Sequence, residues 1–169
     1  MQSLKILGVC VLAAVFYGIV HDQFTARICL EYFTIFHPPI FGRTQSPTLL
    51  AFGWGVLATW WVGMILGIFL AIAARAGSLP KLSVKDVLPM IRRLLLIMAV
   101  CAVVSGLAGY FWGAPPLDIT AYLRPGTQQL FAADWWAHSA SYASGFIGGI
   151  ALCVLAYRKR LERLKPVPD

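Results

Sequence analysis

The chain has 169 residues, of which 59% are hydrophobic and 12% are charged, and its formal net charge is +7. An ordinary soluble domain has about 45–50% apolar and about 25% charged residues, so the composition excludes a typical soluble protein. Nucleic-acid binding is not indicated either, because the basic residues flank apolar runs and are not interleaved with stacking aromatic residues. The partner that the composition predicts is the lipid bilayer, with no nucleic acid.

Four apolar runs are long enough to cross a bilayer, which takes about 20 helical residues. They cover about 4–20, 49–74, 92–113 and 135–157. The first has no clear small-residue cleavage site before His21, so we expect an uncleaved anchor. The predicted fold class is all-α: one polytopic membrane domain over 1–169, built as a four-transmembrane-helix bundle.

The basic residues predict which side of the membrane each segment faces. Eleven of the 14 Lys and Arg residues lie in 1–5, 75–93 and 158–165, whereas 21–48 and 113–134 hold only Arg27, Arg43 and Arg124. Since Lys and Arg accumulate on the cytoplasmic side, both termini are predicted to be cytoplasmic. The segments 21–48 and 113–134 then face outward, and the expected location is the bacterial plasma (inner) membrane.

The first outer segment, 21–48, is too long for a simple connection between bundle helices. Residues 22–36 have a helical period, which predicts an amphipathic interfacial helix between spans 1 and 2. Its polar face holds Gln23, Arg27, Glu31 and Thr34. Arg27 and Glu31 are four residues apart and are expected to pair. The helix should end near Phe36, because a residue that precedes proline, here His37, is disfavoured in helical geometry.

The second outer segment, 113–134, contains two proline-rich turns and room for a short helix over 127–133. The fourth span then carries a stripe that changes from polar to small residues and should face protein. Its members are Asp134, His138, Ser141, Tyr142, Gly145 and Gly149. The second and third spans have comparable stripes of small residues, which favour close helix packing. These are Thr59, Gly63 and Gly67, and Cys101, Ser105, Gly109 and Gly113.

All three histidines fall in the predicted outer half of the molecule, together with several carboxylates. Imidazole and carboxylate groups bind zinc, iron or copper, so a metal site at the outer mouth of the bundle is one hypothesis. The candidate ligands are His21, His37, His138, Asp134 and Glu31. No H-E-x-x-H motif is present, and the same residues could form only a hydrogen-bonded polar plug.

Other chemistries are considered for the same region. His21 and His138 are predicted at similar depth and could ligate a b-type haem from two helices. A catalytic His base could be oriented by Asp22 or Asp134, although no nucleophile motif is present. The apolar runs hold no ionisable residue at mid-depth, which does not favour a channel or transporter. The sequence therefore leaves the cofactor, metal or haem, undecided.

Two functions stand as hypotheses. The first is an accessory or binding subunit of a membrane protein complex or homo-oligomer, working through an outer polar cap that includes Asp22, Arg27, Glu31 and Tyr142. The second is a small metal- or haem-dependent membrane enzyme with its site at the outer mouth. Both predict that His138 and Asp134 point inward and meet the first outer segment, because ionisable groups are unfavourable in lipid.

Overall fold

The structure is a computed structural model that describes residues 1–114, 119–124 and 126–164, and every regular element in these ranges is helical. The helices are α1 (Gln2–Ile28), α2 (Leu30–Thr34), α3 (Pro47–Leu57), α4 (Trp60–Arg75), α5 (Val84–Trp112) and α6 (Gln128–Glu162), with one 3-10 turn at Thr120–Tyr122. Four segments are long and apolar enough to cross a membrane: α1, α3 with α4, α5 and α6. The predicted all-α class and four candidate spans are thus confirmed.

Small residues determine how closely the helices approach. α1 packs against α3 and α4, α5 packs along α6, and α4 meets α6 to close the bundle. A Cβ on Gly18 of α1 would lie 2.5 Å from Thr59 Cγ2 and 2.6 Å from the Gly55 carbonyl oxygen. A Cβ on Gly63 would lie 2.8 Å from the Cys10 carbonyl oxygen of α1, and a Cβ on Gly109 would lie 2.7 Å from the Ala132 carbonyl oxygen of α6. The predicted small-residue stripes therefore lie at helix–helix contacts, as expected when backbones approach closely.

The second span is not one uninterrupted helix. A two-residue turn at 58–59 separates α3 from α4. The Thr59 hydroxyl donates to the Gly55 carbonyl at 2.5 Å, a local bond of the kind that bends helices. The turn lies against α1 at Gly18.

The predicted amphipathic helix over 22–36 is wrong in its boundaries. α1 continues without interruption to Ile28, Cys29 is extended (φ −141°, ψ 98°), and α2 has only five residues. The break at Cys29 removes the four-residue helical spacing, so Arg27 and Glu31 do not pair. Arg27 instead binds Gln23 and Thr48, while Glu31 faces Arg124. The helical part does end before His37, as expected.

Two other helices begin earlier than the sequence suggested. α5 begins at Val84 rather than near 92, because Ser83 and Asp86 form a capping box in which the Ser83 amide and hydroxyl both donate to Asp86 Oδ2 at 2.8 Å. The short helix predicted over 127–133 is the beginning of α6, which continues through the fourth span.

Two hydrophobic cores stabilise the ends of the bundle. The core at the first end, here called the histidine end, comprises Ala26, Cys29, Tyr32, Phe33, Leu50, Ala51, Leu123 and Phe131. The core at the opposite end, called the arginine end, comprises Ile6, Leu70, Ala74, Leu82, Val87, Ile91, Leu152 and Ala156. At the arginine end the buried Arg160 side chain donates to one backbone carbonyl in the last turn of α4 and to three in the α4–α5 connection. The space between the two cores contains the candidate site.

Candidate functional site

A cavity of about 320 Å³ lies between α1, α4, α5 and α6 and reaches the histidine end. This volume falls within the range of about 300–1,000 Å³ that is typical of small-molecule sites. All three histidines line it, together with Asp22. The bundle therefore brings residues that are more than 100 positions apart in sequence into one cavity.

His138 is held in a defined orientation by its own helix. Its Nδ1 lies 2.8 Å from the Asp134 carbonyl oxygen, so this nitrogen carries the proton and donates. Its ring stacks on Tyr32, with centroids 4.4 Å apart. The Nε2 atom then points at Asp22, 3.3 Å from Oδ1. Because both atoms are acceptors in the neutral imidazole and the carboxylate, either a proton or a cation must lie between them.

His21 and Asp22 come from the extension of α1 beyond its apolar run. The His21 ring meets the His138 ring edge-on, with centroids 4.6 Å apart. The His21 Nε2 atom is buried and has no hydrogen-bond partner among the described residues. One ligand atom each of His21, Asp22 and His138 lie within 4.8 Å of one another. Three donor groups of the types that bind divalent metals therefore converge on one point.

His37 lines the same cavity from the segment that follows α2. Its Nδ1 lies 2.8 Å from the Tyr32 carbonyl, and its ring packs 4.5 Å from the Trp54 ring centroid. Burial lowers the pKa of His37 from its ordinary value, which keeps the ring neutral. The Trp54 Nε1 atom, which can only donate, is buried without an acceptor among the described residues.

The geometry of the three converging groups fits a four-coordinate metal ion. Two ligands at metal distances of about 2.0–2.1 Å in a tetrahedral site lie about 3.3 Å apart. His138 Nε2 and Asp22 Oδ1 have this separation already, and a His21 ring nitrogen lies within 4.8 Å of the other two ligand atoms. The bond from His138 Nδ1 to a backbone carbonyl is also the arrangement that commonly orients a metal-binding histidine.

A haem held between His21 and His138 does not fit this structure. Two imidazoles that ligate one iron from opposite faces of a porphyrin have ring centres roughly 6 Å or more apart. The two rings here are 4.6 Å apart and in direct edge contact, which leaves no slot for a macrocycle. The haem hypothesis for this pair is therefore not supported.

The remaining residues singled out from the sequence lie around the site rather than in it. Asp134 is fully buried on the same helix as His138, and neither carboxylate oxygen has a partner among the described residues. Glu31 is occupied by Cys29 and Arg124, and Arg27 by Gln23 and Thr48. Tyr142 lines the cavity but is half exposed. Only part of the expected polar cap therefore turns inward.

Tyr32 and Trp54 are site residues that the sequence reasoning did not identify. In the sequence, Tyr32 falls opposite the polar face of Gln23, Arg27, Glu31 and Thr34 on a helical period, and Trp54 lies near one end of the second apolar run. Their contacts with His138 and His37 depend on how α2 and α3 fold over the bundle. A tryptophan near a span end has no feature in its sequence context that distinguishes a cavity donor from a headgroup anchor.

Comparison with known proteins assigns no family to this site. No family model matches the chain, and no curated protein or solved structure is significantly similar to it.

Proposed function

We propose that this chain is a membrane-embedded metal-binding protein whose ligands are His21, Asp22 and His138. The observation that carries the proposal is the convergence of three ligand atoms within 4.8 Å in a largely buried position. Buried polar groups are normally paired, yet His21 Nε2 has no partner among the described residues. A divalent cation would satisfy this nitrogen and also resolve the contact between two acceptors, His138 Nε2 and Asp22 Oδ1.

The proposal includes a location. We place the protein in the bacterial plasma membrane with both termini in the cytoplasm, so that the histidine end faces outward. This location is supported by the four candidate spans and by the excess of Lys and Arg residues at the arginine end of the bundle. The metal site would then lie at the outer boundary of the hydrocarbon layer.

The ligand set indicates which metals to test first. Two imidazoles and one carboxylate bind Zn²⁺ in hydrolytic sites and Fe²⁺ in non-haem sites, and both leave coordination positions open. Such a metal supplies Lewis acidity toward an oxygen ligand that enters from the cavity. Asp22 would hold the ion as the charged ligand, and Tyr32 would orient the His138 ring by stacking.

An accessory subunit, the first hypothesis from the sequence, is the second candidate. It needs polar groups that are available to a partner, and Arg27 and Arg124 are exposed at the histidine end. Asp22 and His138, by contrast, are buried and turned toward the cavity. Because these inward-facing groups are the ones that a partner could not contact, the geometry favours the metal-binding function.

The test is metal binding by the purified full-length protein after chelator treatment. Reloading with Zn²⁺, or with Fe²⁺ without oxygen, should give one tightly bound ion per chain by elemental analysis. Asp22→Asn and His138→Gln should each weaken binding more than about 100-fold, since loss of even a supporting residue costs about 10–100-fold. Affinity should also fall at acidic pH, because protons compete with the metal for its histidine and carboxylate ligands.

Two matched variants separate a metal site from a simple ion pair. Asp134→Asn is the control for Asp22→Asn, because it makes the same change in a buried carboxylate that is outside the ligand group. His37→Gln is the control for His138→Gln, because it makes the same change in a cavity histidine that is outside the ligand group. Both should keep the metal. If the wild-type protein binds no metal and His138→Gln only lowers stability, the contact is a His–Asp ion pair and the proposal fails.

A further inference from the structure

The cavity continues from the metal-ligand cluster into an apolar arm. Along α1 it is lined from Asp22 back to Cys10, which is about 18 Å at 1.5 Å per helical residue. The histidines and Asp22 are at the histidine end, and Tyr17, Thr59 and Ser141 are polar lining residues next to them along the wall. The rest of the wall is aliphatic and sulfur-containing, and includes Leu66, Leu94, Met98 and Leu152. A ligand that fits this shape has one polar head and a long apolar chain.

The mouth of the cavity indicates that such a ligand enters from the side. Tyr142 and Phe146 both line the cavity, and they are 48% and 63% exposed, respectively. They lie on α6 within the apolar run over 135–157, so in the proposed orientation they face hydrocarbon rather than water. The molecules available at this opening are membrane amphiphiles.

The polar end indicates what the head group must offer. Trp54 lines the cavity, and its Nε1 atom is a buried donor without an acceptor among the described residues. A divalent ion with the Asp22 carboxylate would leave one net positive charge and an open position for an oxygen ligand. A head group with an anionic acceptor oxygen satisfies both the tryptophan and the metal.

We infer that the cavity binds a long-chain carboxylate of the fatty-acid class, with its carboxylate at the open metal position and Trp54 Nε1, and its chain in the apolar arm. This inference rests on the proposed metal site. It carries a specific consequence: without the metal, the ligand carboxylate would face the Asp22 carboxylate, and like charges at short range disfavour binding. Binding should therefore depend on the metal and on both ends of the ligand.

The test uses the full-length protein in phospholipid nanodiscs, with palmitate as the probe and metal content measured on the same samples. The metal-loaded protein should bind palmitate more than about tenfold more tightly than the chelated protein does, and also more tightly than it binds hexadecanol or octanoate. Met98→Trp should fill the arm and weaken palmitate binding more than about tenfold while metal binding is unchanged. Ile97→Trp, on the exposed face of the same helix, is the matched control and should bind as wild type does.

Trp54→Phe provides a second variant in case Met98→Trp does not fold. It keeps the aromatic packing, removes the donor, and should weaken palmitate binding without loss of metal. Metal binding with no palmitate binding overturns this inference and leaves the proposed function intact. Equal palmitate affinity with and without metal, or equal affinity in the Met98→Trp and Ile97→Trp variants, also overturns it. Failure to bind any metal overturns the proposed function itself.

Discussion

Replacing Arg160 tests whether one buried guanidinium stabilises the arginine end of the bundle. Its Nε donates to Pro80 O at 3.0 Å, Nη1 to Ala73 O at 2.7 Å, and Nη2 to Ala76 O and Leu79 O at 2.5 and 3.1 Å. Ala73 lies in the last turn of α4 and Ala76 is the residue that caps it, so both carbonyls are at the C-terminal end of the helix, where a positive charge is favoured by the helix dipole. The side chain is 1% exposed and therefore has no alternative contact with water.

Arg160→Met keeps the length and apolar stem of the side chain but removes all four donors. A hydrogen bond to a charged group contributes about 1.5–3 kcal/mol, and carbonyls near the helix end would regain some of this from water. We therefore expect a net loss of about 3–5 kcal/mol, which is less than the sum of four such hydrogen bonds. For a chain of this size, that corresponds to a fall in unfolding temperature of roughly 6–20 °C.

The assay is thermal unfolding of the purified protein in detergent, followed by circular dichroism. Arg158→Met is the matched control, because Arg158 lies on the same helix, is exposed, and loses the same charge. Arg160→Lys should fall between the two, since an ammonium group cannot reproduce the planar fork of the guanidinium. If Arg160→Met unfolds at the same temperature as Arg158→Met, the four hydrogen bonds do not stabilise the bundle as argued.

Three further predictions follow from other parts of the structure. Gly18→Ala should destabilise the protein by about 1–3 kcal/mol in the same assay, because its Cβ would lie 2.6 Å from the Gly55 carbonyl, whereas Gly8→Ala meets nothing within 4 Å and should be neutral. Burial lowers the pKa of His37 from its ordinary value of about 6.5, so His37 takes up a proton in the unfolded chain before it does so in the folded protein as pH falls. The thermal stability of the wild type should therefore decline below pH about 6.5, and that of His37→Gln should decline less. A reporter fused after residue 169 should be cytoplasmic, and one inserted near Thr44 should be external. The reverse result would place the proposed metal site on the cytoplasmic side of the membrane.

The helical architecture follows from composition and from the chemistry of lipid. A bilayer offers no partner to backbone N–H and C=O groups, so an apolar run of about 20 residues must satisfy them within a helix. That requirement predicts four spans from 1–169 without knowledge of any contact. It also explains why the ends of helices were less predictable: α1 extends past its apolar run, and α5 begins eight residues before 92, where polar residues allow either helix or loop.

Part of the site was also visible in the sequence. The stripe from Asp134 through His138 to Gly149 predicts an inward-facing helix side, because small and polar residues are disfavoured toward lipid. His138 and Asp134 do lie on the buried side of α6. The contacts of the acidic residues were not visible in the sequence: Glu31, named among the metal candidates, is directed to Arg124, while Asp22, expected in the polar cap, contacts His138.

What only the tertiary structure decided is which polar groups meet. Asp22 and His138 are separated by 116 positions, and their contact depends on the crossing of α1 with the bundle at Gly18 and Gly55. The entry of His37 and Trp54 into the same cavity depends on the break at Cys29 and on the packing of α3 against α1. Helix formation in a bilayer depends on the apolar character of each segment, so it can be predicted from that segment alone. The convergence of side chains from different helices depends on crossing points and breaks, which are determined by packing among residues that are distant in sequence.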